Sequence, residues 1–320
     1  MSFPVTRDDI DAAAERLAGR VRTTPVIDVD VPTPSGIVRV ALKLELMQHT
    51  GSFKPRGAFN RVLSAEVPDA GLIAASGGNH GLAVGHVASE LGIRAEIFVP
   101  ESTPAAKLDR LLAYDGRVEV IVGGALYADA QDASTERAAS TGALVVHPYD
   151  QAEVIAGQGT MAREIDSQVP DVEAVLVAVG GGGLMAGSAC WLAPDVDVVA
   201  VEPGTSRALG AALDADGPVD VTVAGIAADS LGARRIGELA FAAARAAGVA
   251  QVEVDDEAIR DAQRWAWREL RLVVEPGGAT ALAAVLSGAW CPPAGKRTVV
   301  VVCGANTDPA LVADPPRRRT

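Results

Sequence analysis

Short apolar runs alternate with segments of helical period along most of this chain. That alternation limits the fold more than any other feature. Runs at 72–76, 95–99, 118–122 and 143–147 are separated by helical spacing around 81–91, 104–114 and 127–140. After His147-Pro148 the pattern resumes. Helices are expected near 159–167, 184–192, 233–247, 256–269 and 279–286, and strands at 174–179, 196–201 and 298–303. Alternating βα units predict parallel sheets covered on both faces. Upstream, Thr6 or Asp8 caps a first helix, a hairpin turns around Pro34-Ser35-Gly36, a strand covers 38–46, and a helix runs from Pro55 to about residue 63. We expect an α/β, two-lobed open parallel-sheet fold. The small lobe is 71–148; the large one combines 1–70 with 149–320. The last residues, 315–320, read as a frayed tail.

With 320 residues the chain can bury a sizeable core. A net charge of −13 argues against nucleic acid and anionic lipid as partners. The N-terminus has no apolar signal-like stretch, and the most apolar span, 172–193, is broken by glycines and carries Glu173. Three cysteines without CxxC spacing do not suggest disulfides or zinc, so a reducing, cytoplasmic setting is expected. The four histidines match no metal motif.

Three loops carry candidate chemistry. In Thr50-Gly51-Ser52-Phe53-Lys54-Pro55-Arg56-Gly57-Ala58, one lysine precedes a proline suited to a first helical turn. Proline disfavours helical geometry in the residue before it, so Lys54 is expected just outside the helix. Desolvation there would lower its pKa and make it nucleophilic; a plain surface lysine is the ordinary reading. Ser76-Gly77-Gly78-Asn79-His80-Gly81 follows a strand and opens a helix, where free N–H groups suit a carboxylate or phosphate. Gly180-Gly181-Gly182-Gly183-Leu184 does the same in the second lobe, where glycines let backbone amides surround a phosphate. Gly181, Gly183 and Ala186 also satisfy a dinucleotide fingerprint, with Glu202 where a ribose-binding acid would sit. A nicotinamide-dependent oxidoreductase therefore competes. Cys303 ends the last strand as a thiol with no base beside it in sequence, and a buried core cysteine is its ordinary reading.

Together these stretches resemble the serine/threonine dehydratase family, the threonine ammonia-lyase and serine racemase branch of fold type II pyridoxal-phosphate enzymes. The resemblance also takes in Lys43-Leu44-Glu45, Gly157-Gln158-Gly159-Thr160, Glu275-Pro276-Gly277-Gly278-Ala279 and Cys303-Gly304-Ala305-Asn306. It implies the fold of the tryptophan synthase β-subunit and pyridoxal 5'-phosphate as cofactor. It implies that Lys54 holds the cofactor covalently and then acts as base at Cα. Phe53 would pack on the cofactor ring, Asn79 would bond its 3-hydroxyl, and Gly180 to Leu184 would cradle its phosphate. Cys303 would face the ring nitrogen, and Ser76, Gly78, Asn79 and His80 would hold the substrate carboxylate. The implied reaction is β-elimination from L-threonine or L-serine, giving a 2-oxo acid and ammonia. Relatives act as racemases or on other hydroxy-amino acids such as 3-hydroxyaspartate, and a homodimer is the family expectation. A non-catalytic ligand-binding protein on the same fold is a third class; like the oxidoreductase reading, it leaves Lys54 unexplained.

Three departures from the pattern bear on function. Racemase-like members place Glu202 and a second acid around a cation, but the second position falls near Ala208. Glu202 is then only half of a metal site. The chain ends shortly after Asn306, so isoleucine-type feedback through a following domain is not expected. The position of the racemase serine is Gly77, which has no side chain to serve the second face of Cα. Racemisation is therefore expected to be far slower than elimination. Chiral chromatography of an L-serine reaction tests this, and D-serine forming as fast as pyruvate would refute it.

Overall fold

The computed structural model describes residues 3–103, 105–114, 116–125, 127–293 and 295–312. Pro104 and the expected tail at 315–320 lie outside them. Helix α1 (Arg7–Leu17) starts on a reciprocal Thr6–Asp9 capping box. Strands β1 (Val26–Thr33) and β2 (Gly36–Lys43) form an antiparallel hairpin that leads to α2 (Lys54–Leu63). Then come β3 (Leu72–Ala75), α3 (Asn79–Leu91), β4 (Ala95–Val99), α4 (Ala105–Leu112), β5 (Val118–Val122), α5 (Tyr127–Thr141) and β6 (Leu144–Val145). These strands make a parallel four-stranded sheet in the order β5-β4-β3-β6.

The chain continues through α6 (Ala152–Gln168), β7 (Val172–Ala178), α7 (Gly183–Leu192), β8 (Asp197–Pro203), α8 (Ala208–Asp214), α9 (Ala228–Leu231) and α10 (Glu238–Ala247). It ends with β9 (Ala250–Val254), α11 (Asp256–Leu270), α12 (Pro276–Ser287), β10 (Arg297–Val301) and α13 (Pro309–Val312). The six-stranded sheet has the order β1-β2-β10-β7-β8-β9 and is parallel apart from the β1–β2 hairpin. No described helix is long and apolar enough to cross a membrane.

This order positions the site. The last strand, β10, lies between β2 and β7 and parallel to both. The chain leaving β2 toward Lys54, that leaving β10 toward Cys303, and that leaving β7 toward Gly180 therefore emerge at one sheet end. Ligands of open α/β sheets bind at such strand ends. Backbone hydrogen bonds stitch the first two together: Leu46 N–H to Val302 O (2.8 Å), Phe53 N–H to Cys303 O (3.2 Å) and Ala305 N–H to Gly51 O (2.9 Å).

Beneath α2 lies an ion cluster. Arg56, Glu45 and Lys43 are fully buried. Arg56 grips Glu45 through Nε (2.5 Å) and Nη2 (3.1 Å), and Glu164 of α6 through Nη1 (2.7 Å) and Nη2 (3.0 Å). Lys43 Nζ donates to Glu164 (2.7 Å), Gln168 Oε1 (2.8 Å) and Thr24 O (2.8 Å). Burial opposes the Arg56 charge, but Glu45 and Glu164 outweigh it and hold its pKa above the ordinary value.

The structure differs from the sequence expectations at several boundaries. Lys54 is the first residue of α2, not the last of the loop. The contacts of Phe53 and Ser52 with the chain after β10 set the turn, and Phe53 is already helical at φ −61°, ψ −17°. The strand expected over 38–46 stops at Lys43, where the chain turns so that Glu45 reaches Arg56. Helix α6 begins at Ala152, well before 159. Its glycines do not break it: a Cβ on Gly157 would lie 2.7 Å from Gly57 Cα, so they let α6 and α2 touch. Helix α10 starts at Glu238 rather than near 233, where the Asp150 carboxylate accepts from the N–H groups of Glu238 (3.1 Å) and Leu239 (3.0 Å). Strand β9 and helix α8 had no counterpart in the expectations; β9 is a half-exposed edge with little apolar signal.

Removing Arg56 alone strands two carboxylates. Arg56→Met is expected to destabilise the fold by about 3–5 kcal/mol, the usual cost of breaking a buried pair. Urea unfolding followed by tryptophan fluorescence and circular dichroism checks it; a loss under about 1 kcal/mol, the surface-pair range, would contradict it.

Candidate active site

Lys54 Nζ donates to the Pro148 carbonyl (2.6 Å) and lies 4.9 Å from the Phe53 ring centroid. Burial pulls its pKa down to about 8, against the opposing pull of Cys303 and Glu275. A lysine in this setting is unprotonated in useful amount near neutral pH. The segment holding it is itself held. His147 Nδ1 accepts from the N–H groups of Tyr149 (3.3 Å) and Asp150 (2.8 Å), and Asp150 caps α10.

The Tyr149 ring lies against the glycine loop. A Cβ on Gly181 would fall 2.3 Å from a ring carbon, so the residue must be glycine there whatever the loop binds. Gly182, at φ +89°, is the N-cap of α7, and no side chain caps that helix. Its first N–H groups, with Gly180, Gly181, Gly182, Gly183 and Leu184 around them, are placed to receive an anion.

The loop after β3 is ordered by its own groups. Ser76 Oγ accepts from Gly78 N–H (3.1 Å). His80 is buried, and Nε2 meets the Val146 carbonyl at 2.8 Å; a carbonyl only accepts, so Nε2 carries the proton. Burial drops the His80 pKa to about 3, which keeps it neutral. The imidazole is thus engaged in the small-sheet wall, and only the His80 backbone is left for a substrate. The position beside Gly77 is filled by Thr103: a Cβ on Gly77 would lie 2.7 Å from Thr103 Cγ2.

Asn79 is held at both ends of its amide, donating to Glu275 Oε1 (2.6 Å) and accepting from Asn306 Nδ2 (2.6 Å). Burial pushes Glu275 up to about 7. Cys303 is buried with Sγ 3.7 Å from the Gly277 carbonyl, and burial pushes its thiol up to about 12, so it stays protonated. The structure thus brings Phe53, Lys54, Asn79 and Cys303 to one end of the large sheet and sets the glycine loop beside them through Tyr149.

Glu202 is spent elsewhere. Its carboxylate accepts from Leu209 N–H (2.8 Å), Gly210 N–H (2.8 Å) and Gln251 Nε2 (3.0 Å), so it anchors α8. Among the described residues no cluster of three His, Cys, Asp or Glu side chains is suited to a metal.

An uncapped helix start behind a glycine loop, a desolvated lysine amine and a protonated thiol fit pyridoxal phosphate. Buried Ser52 Oγ, which has no partner among the described residues, adds polar capacity beside Lys54. A family model described as pyridoxal-phosphate dependent enzyme matches residues 17–304. The chain belongs to that family. Within it, the curated relatives include several named dehydratases. The chain is 37% identical over 316 residues to L-threonine dehydratase biosynthetic IlvA of Mycobacterium leprae, covering 95% of this chain and 73% of that one. It is 35% identical to phenylserine dehydratase of Ralstonia pickettii, covering 96% of each. Maize serine racemase superposes with a TM-score of 0.87 at 30% identity, covering 96% and 95%. The threonine deaminase of Solanum lycopersicum, isoform 2 in its processed form, does so at 0.85 and 29%, covering 96% and 90%. This pyridoxal-phosphate dependent enzyme is therefore a dehydratase of the serine/threonine dehydratase family with the fold type II architecture; the nicotinamide reading is corrected, and the Glu202 oxygens it needed are bonded to α8.

Sequence reasoning gave no role to Glu275, Asn306, Tyr149 or the Pro148 carbonyl. A signal existed for Glu275: it is an acid directly before a proline that opens an almost wholly apolar helix, where a carboxylate without a partner would be costly to bury.

In cofactor-free protein, acylation of Lys54 by a small amine-directed reagent is expected to rise with pH through a midpoint near 8, since only the neutral amine reacts. Ordinary lysines titrate near about 10.4. Peptide mapping of the acylated site reads it, and a midpoint above about 10 would show that Lys54 is not desolvated.

Proposed function

We propose that this dehydratase converts L-threonine, L-serine or both to the 2-oxo acid and ammonia by β-elimination. The observation that carries the reading is Lys54: an amine at a helix start, lowered by burial to about 8 and bonded to the Pro148 carbonyl, next in sequence to the Tyr149 ring that lies on the glycine loop. The relatives named threonine dehydratase and L-threonine ammonia-lyase support the substrate.

Pyridoxal phosphate supplies an aldehyde for the substrate amine and an electron-withdrawing ring for the charge that develops at Cα. The chain supplies the rest. Backbone N–H groups of Gly180 to Leu184 would hold the phosphate with the help of the α7 dipole. Phe53 would pack on the ring, and Asn79 would donate to the ring hydroxyl oxygen. Backbone N–H groups of Asn79 and His80 would hold the substrate carboxylate at the start of α3, while Ser76 and Gly78, whose own N–H groups are donated to Phe98 O and Ser76 Oγ, would shape the loop around it. Lys54 would hold the cofactor through its amine and, as the free amine, would take the Cα proton. A thiol that stays protonated at Cys303 would give the ring nitrogen no anionic partner. Charge at Cα would then be stabilised less, which would favour prompt loss of the β-hydroxyl as water over transamination. The released enamine is hydrolysed by water to the 2-oxo acid and ammonia.

The near full-length match to phenylserine dehydratase favours one further reading, a β-aryl substrate. A panel of L-threonine, L-serine, phenylserine and 3-hydroxyaspartate, assayed for 2-oxo acid release, separates them. L-Threonine or L-serine is expected to show the highest kcat/KM. Lys54→Ala is expected to lower kcat by roughly 10²–10⁴-fold or more, the usual worth of a general base. Retention of most of the activity in that variant would refute the assignment of Lys54.

A further inference from the structure

Asn79 sits in a row of four side chains whose hydrogen bonds all run one way. Arg110 of α4 donates through Nη1 to Asn306 Oδ1 (2.5 Å). Asn306 donates through Nδ2 to Asn79 Oδ1 (2.6 Å) and to the Thr50 carbonyl (2.9 Å). Asn79 donates through Nδ2 to Glu275 Oε1 (2.6 Å). The ends of the row decide its direction. A guanidinium can only donate, and an ionised carboxylate can only accept. Between such ends each amide has one satisfied orientation. Turning over Asn79 would set its carbonyl against the Glu275 carboxylate and its NH₂ against the Asn306 NH₂. Turning over Asn306 would set its carbonyl against the Thr50 carbonyl as well.

The row is built, not incidental. Its members come from α4, the segment after β10, the start of α3 and the residue before α12. The Glu275 carboxyl occupies the space a side chain at 304 would need: a Cβ on Gly304 would fall 1.7 Å from Oε1. That glycine directly follows Cys303.

We propose that Arg110, Asn306 and Glu275 are positioning residues that fix the Asn79 amide in one orientation, so that its second N–H is the group offered to the cofactor's ring oxygen. This rests on the reading above that Asn79 lies against the cofactor. A donated hydrogen bond favours the ionised form of that oxygen, whereas a carbonyl in its place would favour the protonated hydroxyl. The orientation of one amide thus sets the protonation state of the ring.

The environment of Glu275 makes the row pH-sensitive. Burial raises its pKa to about 7; Asp229 of α9 adds to this, and Asn79, Lys107 and Arg110 oppose it. Lys54 and Cys303 also sense its charge. With the pKa raised to about 7, Glu275 is an acceptor-only end above that pH, as the ion. As pH falls through that value, the protonated carboxyl can donate as well as accept, and the row is directed from the Arg110 end alone.

The test uses the holoenzyme and reads the ratio of its long- to short-wavelength cofactor absorption bands, with the Kd for pyridoxal phosphate. Glu275→Gln replaces an acceptor-only end by an amide that can also donate. Asn306→Asp, nearly isosteric, removes the donor to Asn79. Each is expected to lower the long-wavelength fraction and to weaken the cofactor about tenfold, the size of one lost hydrogen bond. The change of the ratio near pH 7 is expected to vanish in Glu275→Gln. Asn79→Ala separates the two levels of the argument. If it leaves ratio and Kd at wild-type values, the placement of Asn79 against the cofactor fails. If it changes both while Glu275→Gln and Asn306→Asp leave them untouched, the positioning inference alone is overturned. Should Glu275→Gln fail to fold, Asn306→Asp decides.

Discussion

The pairing of Arg56 with Glu45 and Glu164 is the interaction on which the geometry of the site depends. Lys43 completes a cluster of two cations and two carboxylates, so no net charge is buried. Such a cluster is a weak source of stability, because desolvation of each ion costs several kcal/mol that the contacts must offset. What it does supply is direction. Residues two apart on a helix point about 200° from each other. Holding Arg56 down between β2 and α6 therefore turns Lys54 to the opposite side, toward Pro148. Apolar side chains of equal volume would pack α2 as firmly, but nothing in them would specify its rotation or axial position.

Burial then gives the site its chemistry. Lys54, Glu275 and Cys303 each have a pKa moved toward the neutral form, the amine down and the two acids up, and in each the largest cause is removal from water. A neutral amine is a base, a neutral thiol is no counter-ion, and a carboxyl near its own pKa can switch between accepting and donating. One dehydrated space at the end of the large sheet sets all three. The strand order is what dehydrates it: with β10 inserted between β2 and β7, three chain exits cover one another.

Much of this was readable beforehand. Short apolar runs placed β3, β4, β5, β7, β8 and β10, because buried parallel strands carry continuous apolar sequence. Lys54, Asn79 and the Gly180 loop stood out because glycine and proline fix loop geometry locally. What escaped was set by distant partners. The start of α10 depends on Asp150, 88 residues earlier than Glu238. The tie of Asn79 to Glu275 spans 196 residues. Edge strand β9 carries half-exposed polar residues, and no periodicity marks it. Lys43-Leu44-Glu45 was conspicuous as part of a motif, but its physical meaning appears only once Arg56 lies against it.

The glycines show why a motif and its cause must be kept apart. Four in a row after β7 suggested a phosphate cradle, and the same residues satisfied a dinucleotide fingerprint. In the fold, Gly181 is required by the Tyr149 ring, and Gly180 lies tight against the Leu231 backbone, 3.0 Å from where its Cβ would be. Internal packing is sufficient to explain both, so the run alone does not name a ligand. The polar ends around it do. On the reading proposed above, a helix start that no side chain caps, a lysine with its amine out of water and a protonated thiol match the parts of one small molecule: a phosphate, an aldehyde and a basic ring nitrogen. Sequence spacing left two cofactors open, and the protonation states that burial enforces are what favour one of them.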